Sequence, residues 1–290
     1  MLRIEVVNAD RDQLGEGPLW DVEEQALYWI DSYGPAVHRL EPGGRRRTWP
    51  LPEHVGSIAL REKGGAICSL RSGFHALDFE TGTVTKLVDV GSHPRTRIND
   101  GKVDLQGRFI AGSMDYEERE PLCASYRLDA DHSVTRIDDD IICSNGPCWS
   151  PDGSTLYFAD TTKRQIYAYD YDMADGSVSN RRVFVDFAAL GFHGYPDGAT
   201  VDAEGALWSC EVYRGRLLRF LPDGRLDRAI GLPVESATSV MFGGPNLDVA
   251  YVTSMARPIA GVPPLEDEAG MLFAIYGLGV RGIPEPRFAG

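Results

Sequence analysis

Short hydrophobic runs alternate with turns rich in Asp, Pro and Gly along the whole 290-residue chain. The clearest unit starts at Asn145 (NGPCWSPDGSTLYFAD) and returns at Asp197 (DGATVDAEGALWSC), almost position for position. Each copy predicts a short apolar strand, a turn and a second apolar strand. Further copies have their heads at Gly17, Gly56, Gly101 and Thr238, which makes six repeats in all.

A third apolar strand and a fourth, more polar strand follow most of these pairs, as in 165–169 and 182–186. The heads lie 39 to 52 residues apart, and four strands per repeat of about 40–50 residues are typical of a propeller blade. No stretch shows a clean helical period. We therefore predict an all-β fold: a single six-bladed β-propeller over residues 1–290, with four antiparallel strands per blade. The N-terminal strand, residues 3–7, is predicted to complete the last blade and close the ring.

Equivalent positions of the blades lie on one ring around the channel of a propeller. The residue before the head glycine is an oxygen donor in four repeats: Glu16, Asp100 with Asn99 beside it, Asn145 and Asp197. Hard and borderline divalent cations prefer such ligands. Two carboxylates and one amide also leave positions open for water and substrate, as in a catalytic metal site. The repeat register thus predicts a metal site at one mouth of the channel.

Five motifs in the same order add a family resemblance: LGEGPLW (14–20), RINDGKVD (97–104), AGSM (111–114), SNG (144–146) and YPDG (195–198). With them the chain resembles the senescence marker protein/gluconolactonase/regucalcin-like family of six-bladed, metal-dependent sugar lactonases. Within that family it looks most like bacterial pentonolactone and aldonolactone hydrolases. The resemblance implies that Glu16, Asn145 and Asp197 bind one divalent cation. Calcium, zinc, manganese, magnesium and ferrous iron all remain candidates.

The resemblance also implies a side of the site that faces the substrate. Arg97 and Asn99 would contact the sugar hydroxyls or a metal-bound water, and Glu117 falls where the family places an acid that contacts the substrate. In the run DYEER (115–119), however, Glu117 and Glu118 are not separated by sequence alone.

The function predicted on this basis is hydrolysis of an aldono- or pentonolactone to the aldonic acid. A divalent cation can polarise the lactone carbonyl and lower the pKa of a water molecule. We assign Asp197 the role of general base, since one oxygen can bind the metal while the other takes a proton. Three further residues lie on segments near the same mouth and could line the substrate site: Tyr116, His193 and Tyr195.

Composition restricts the partners. A formal charge of −14, from 29 basic and 43 acidic residues, disfavours nucleic acid, because phosphate binding depends on clustered Lys and Arg. No secretory signal and no membrane span is visible, and the five scattered cysteines predict reduced, buried thiols in a cytoplasmic protein. We expect a monomer or a weak homo-oligomer. Two alternatives remain: a hydrolase of another ester or an organophosphate, and a non-enzymatic calcium-binding propeller.

Overall fold

The computed structural model describes residues 1–91, 93–258 and 261–290. They form six antiparallel four-stranded sheets, and in five of them the strands follow one another in chain order. In the sixth sheet, strand β1 at the N-terminus pairs with β24 near the C-terminus. The predicted six-bladed propeller and its closure by the N-terminal strand are confirmed.

The first three blades take up the chain to residue 141. Blade 1 contains β2 (Gly15–Asp21), β3 (Ala26–Asp31), β4 (Ala36–Leu40) and β5 (Arg46–Pro50). Blade 2 contains β6 (Val55–Leu60), β7 (Ala66–Leu70), β8 (Gly73–Leu77) and β9 (Val84–Val88). Blade 3 contains β10 (Thr96–Val103), β11 (Phe109–Asp115), β12 (Cys123–Leu128) and β13 (Val134–Ile141).

The other three blades follow in the same way. Blade 4 contains β14 (Ser144–Trp149), β15 (Thr155–Asp160), β16 (Gln165–Tyr171) and β17 (Val178–Asp186). Blade 5 contains β18 (Tyr195–Val201), β19 (Leu207–Val212), β20 (Arg216–Phe220) and β21 (Leu226–Gly231). Blade 6 contains β22 (Ala237–Gly243), β23 (Val249–Ser254), β24 (Leu272–Tyr276) and β1 (Arg3–Asn8).

The hydrophobic core is divided into layers between neighbouring blades. In β3, for example, Tyr28 and Ile30 pack toward blade 2, whereas Leu27 and Trp29 pack toward blade 6. Strands that are buried on both faces read as nearly continuous apolar runs, which is why the second strand of each blade is the most hydrophobic part of its repeat. All five cysteines are buried free thiols, as the sequence predicted.

Every inner strand has an irregularity in its pairing at the repeat head. A β-bulge redirects the side chain before it, and bulges are frequent next to functional sites. Two of the head glycines show why a residue with a side chain is poorly tolerated at this position. Gly146 has a positive φ of 58°, and a Cβ on Gly198 would collide with Ser239 of the next blade. The missing side chain at these glycines therefore allows the inner strands of neighbouring blades to approach closely.

The C-terminal tail after β24 crosses the far end of the propeller, where the inner strands end. Phe288 is fully buried and exchanges backbone hydrogen bonds with Leu60 and Glu62, at 2.8 and 2.9 Å. Arg287 forms an ion pair with Asp21. The opposite end, where the inner strands begin, is left free for a site. Among the described residues there is no helix with the length and hydrophobicity needed to span a bilayer.

Candidate metal and substrate site

The heads of four inner strands line one cavity of about 390 Å³. Glu16 comes from β2, Asn145 from β14 and Asp197 from β18, and Arg97 and Asn99 come from β10. Asn145 and Asp197 are 5% and 8% exposed. The structure thus brings together the three candidate ligands and the two candidate substrate contacts that the sequence singled out.

A chain of hydrogen bonds fixes the amide of Asn145. Its Oδ1 accepts a hydrogen bond from Asn99 Nδ2 at 3.0 Å, and its Nδ2 donates to Thr161 Oγ1 at 2.9 Å. The Thr161 hydroxyl in turn donates to the Pro196 carbonyl at 2.7 Å, beside Asp197. Because Thr161 Oγ1 accepts a hydrogen bond from Asn145 Nδ2, Asn145 Oδ1 is held on the side of Asn99. One lone pair of this oxygen remains free.

Three acidic side chains lie near this point: Asp100 and Asp197 are buried, and Glu16 is half-buried. Burial and the neighbouring carboxylates of Asp197 and Asp100 raise the pKa of Glu16, and burial and the charges of Asp100 and Glu118 raise that of Asp197. Asp100 does not line the cavity; its carboxylate accepts hydrogen bonds from the Gly101 and Gly146 backbones, both at 2.8 Å. Like charges in a low-dielectric site repel strongly. The arrangement therefore favours a cation.

The described residues hold no group of three or more Asp, Glu, His or Cys side chains that could bind a metal ion. Glu16 and Asp197 supply two carboxylates at the strand heads, and the amide oxygen of Asn145 lies at the equivalent position of blade 4 and lines the same cavity.

Arg97 is almost completely buried, at 2% exposure. Its Nη1 donates to the Ile98 carbonyl at 3.1 Å, and its Nε finds no hydrogen-bond partner in the part of the chain that the structure describes. The guanidinium lies 5.9 Å from the ring centre of Tyr33. A buried donor that is left unpaired is costly, so Arg97 is suited to bind an oxygen of a ligand.

The loops at the rim of the cavity are held by aspartates that end the second strands of their blades. Asp31 accepts hydrogen bonds from the backbone of Leu14 and Tyr33, both at 3.1 Å. Asp160 accepts hydrogen bonds from the backbone of Ile142 and Cys143 at 3.0 and 3.2 Å. Carboxylates that satisfy several backbone N–H groups fix a turn. The repeat therefore supplies the candidate ligands and also the aspartates whose hydrogen bonds hold the surrounding loops.

Asp115 supports the third such loop and separates the two candidate acids. It accepts from Arg95 and from the backbone of Glu117 at 3.2 Å, and the hydrogen bond from Arg95 holds its pKa well below the usual range. Glu118 has a positive φ of 51° and lines the cavity. Glu117 does not line it, and its carboxylate lies 3.9 Å from Arg95. The structure thus places Glu118 on the cavity wall, whereas Glu117, the acid predicted to contact the substrate, lies outside it.

The three further residues expected near the mouth are placed differently from one another. Tyr195 lines the cavity. Tyr116 lines a neighbouring groove instead, where its hydroxyl lies 3.1 Å from His54 Nδ1. His193 is exposed and does not line the cavity.

Several residues that line the cavity are not predicted by the repeat pattern. Tyr33, Tyr213 and Arg257 line the cavity from loops or strand ends of different blades. Arg257 lies 4.0 Å from the ring centre of Tyr33. An aromatic or a basic residue in a surface loop has many ordinary explanations, so no spacing in the chain would have identified these three.

Comparisons with known proteins agree with this architecture. A family model for the SMP-30/Gluconolactonase/LRE-like region matches residues 14–256. Regucalcin of Xenopus laevis is 37% identical over 298 residues, covering 100% of this chain and 99% of that protein. The 6-deoxy-6-sulfogluconolactonase of Pseudomonas putida is 39% identical over 282 residues, covering 96% and 95%. The structure of a calcium-binding protein, regucalcin, from Agrobacterium tumefaciens has a TM-score of 0.90 and 27% identity, covering 98% and 97%.

Proposed function

This chain belongs to the SMP-30/gluconolactonase/LRE-like family, and from that premise we propose that it hydrolyses a sugar lactone to the aldonic acid with a bound divalent cation. The observation that carries the proposal is the convergence of Glu16, Asn145 and Asp197 on one cavity that Arg97 and Asn99 also line. A relative that is 39% identical over 96% of the chain is named a sulfogluconolactonase, which supports a lactone as the substrate.

The donors fit a divalent cation on chemical grounds. Burial and nearby negative charges raise the pKa of both Glu16 and Asp197, so a cation between the two carboxylates stabilises their charged forms, and a free amide lone pair adds a third oxygen. Oxygen ligands suit calcium, magnesium and manganese, and they also accept zinc or ferrous iron. The related regucalcin described as calcium-binding supports calcium as one candidate. The cation that supports turnover is identified by restoring each metal in turn to metal-stripped protein.

In this proposal, each cavity residue has one task in the reaction. When bound, the cation would polarise the lactone carbonyl and make water a stronger nucleophile. Asp197 takes the proton of the attacking water, because one of its carboxylate oxygens can bind the cation while the other accepts a proton. The guanidinium of Arg97 stabilises negative charge that develops on the substrate oxygen. Asn99 and Glu118 bind sugar hydroxyls at the wall of the cavity.

A lactone panel on metal-stripped protein tests this proposal. Pentono- and hexonolactones are assayed with a pH indicator after calcium, magnesium, manganese, zinc or ferrous iron is restored. We expect turnover only with a cation, and Asp197→Asn should remove nearly all of it. Asp152→Asn is the matched control, because Asp152 lies in the same Pro-Asp-Gly sequence at an exposed turn and should retain full activity.

Two results would replace the proposal with one of its alternatives. Stoichiometric cation binding without turnover of any lactone would indicate a binding protein. Turnover of an aryl ester or an organophosphate, with all lactones inert, would indicate a different hydrolase on the same scaffold.

A further inference from the structure

Arg257 lines the cavity but has no part in the proposed reaction. Its guanidinium lies 4.0 Å from the ring centre of Tyr33, and that of Arg97 lies 5.9 Å from the same ring. Tyr33 and Arg97 also line the cavity. Within the described residues, neither arginine forms an ion pair with a carboxylate.

The two arginines lie at different depths. Arg97 is buried and its Nε has no hydrogen-bond partner in the described chain, so it belongs to the floor with Asn145 and Asp197. Arg257 is exposed and follows β23 in a segment whose backbone donates to the Gln13 carbonyl at 3.0 Å. A lactone whose carbonyl lies at the floor would therefore extend its far end toward Arg257.

The charges of the cavity wall distinguish Arg257 from its surroundings. Three acidic side chains line the cavity together with the two arginines: Glu16, Glu118 and Asp197. Burial raises the pKa of Glu118, and the charges of Arg257 and Arg97 act against that rise. Arg257 forms no ion pair within the described residues, so its guanidinium is able to bind an anionic group, and charge complementarity of this kind selects among ligands.

We propose that Arg257, stacked on Tyr33, is a specificity-determining residue that binds an anionic group at the far end of the substrate, so that the enzyme prefers lactones of acidic sugars. The group is a carboxylate, sulfonate or phosphate, which a guanidinium recognises in the same way. This inference rests on the proposed lactonase function. The name of the 6-deoxy-6-sulfogluconolactonase relative is in keeping with it.

Two lactones that differ only at the far end test the preference. D-glucaro-1,4-lactone carries a carboxylate where D-glucono-1,4-lactone carries a hydroxymethyl group. We expect kcat/KM of the wild-type protein to be at least about tenfold higher for the acidic lactone, since a hydrogen bond between two charged groups is stronger than one to a neutral hydroxyl. Arg257→Gln should lower kcat/KM for the acidic lactone about tenfold, mainly through KM, and change that for the neutral one less than about threefold.

Arg119→Gln is the matched control, because Arg119 is 76% exposed, lies beside Glu118 and does not line the cavity. This substitution removes the same charge from the same side of the molecule and should leave the ratio of kcat/KM for the two lactones unchanged. Calorimetric titration with the ring-opened acids gives a readout that does not depend on turnover: glucarate should bind more tightly than gluconate, and Arg257→Gln should abolish the difference.

The failures of the two proposals are distinguishable. If the wild-type protein hydrolyses neither lactone with any cation, the lactonase proposal fails. If it hydrolyses both equally, or if Arg257→Gln weakens both by the same factor, lactone hydrolysis stands and the preference for an anionic group is wrong.

Discussion

Replacing Thr161 with valine tests whether the orientation of Asn145 controls metal binding. The Thr161 hydroxyl accepts from Asn145 Nδ2 at 2.9 Å and donates to the Pro196 carbonyl at 2.7 Å. Valine has the same shape but leaves both buried groups without this partner, at a cost of roughly 1–3 kcal/mol each. We expect the free energy of unfolding to fall by about 3 kcal/mol. The amide is then free to turn, and the affinity for the cation should fall about 10–100-fold, as for other residues that orient a ligand.

The assay is calorimetric titration of chelator-stripped protein with Mn²⁺, alongside urea unfolding. Thr161→Ser keeps the hydroxyl and should retain most of the affinity. Thr162→Val is the neighbouring control, because the Thr162 hydroxyl also lines the cavity but has no hydrogen-bond partner in the described residues. If Thr161→Val loses stability yet binds Mn²⁺ within twofold of the wild type, the hydroxyl supports the fold and has no part in orienting the ligand.

Three further predictions concern charge and packing. The pKa values of Glu16 and Asp197 are raised in the folded state, so protonation of these groups favours folding. The metal-free protein therefore loses stability as the pH rises above the unfolded-state pKa values of about 4. Its melting temperature should rise when the pH is lowered from about 7 to about 5. Saturating Ca²⁺ should reduce this gain, and a gain of the same size in Glu16→Gln would show that the Glu16 carboxyl does not contribute to it. Val55→Ala changes the same ring position on a blade without a donor, where Val55 is fully buried. Urea unfolding should show a loss of roughly 2 kcal/mol, with Mn²⁺ affinity unchanged; a tenfold weaker affinity would refute the ring argument. Phe288→Ala should cost roughly 3–5 kcal/mol, because this tail residue is fully buried between blades 2 and 3; a change below about 1 kcal/mol would show that the tail adds little to the fold.

The choice between Glu117 and Glu118 illustrates where sequence reasoning ended. Both acids fit the same motif, and neighbouring residues of an irregular loop have no periodicity that assigns them to a side. The contacts of Asp115 with Arg95 and the Glu117 backbone and the positive φ of Glu118 place Glu118, and not Glu117, on the cavity wall. These contacts join residues that the repeat does not relate to one another.

The repeat pattern was enough to predict the blades, the closure by β1 and three of the four head residues as cavity donors; Asp100 instead binds the Gly101 and Gly146 backbones, and its neighbour Asn99 lines the cavity. A propeller repeats one local pattern, and equivalent positions of a repeat lie at equivalent places around the channel. The residues that complete the cavity became identifiable only from the folded arrangement. Thr161, Tyr33 and Arg257 reach it from different blades, and their positions depend on long-range hydrogen bonds and ring contacts, which leave no period in the chain.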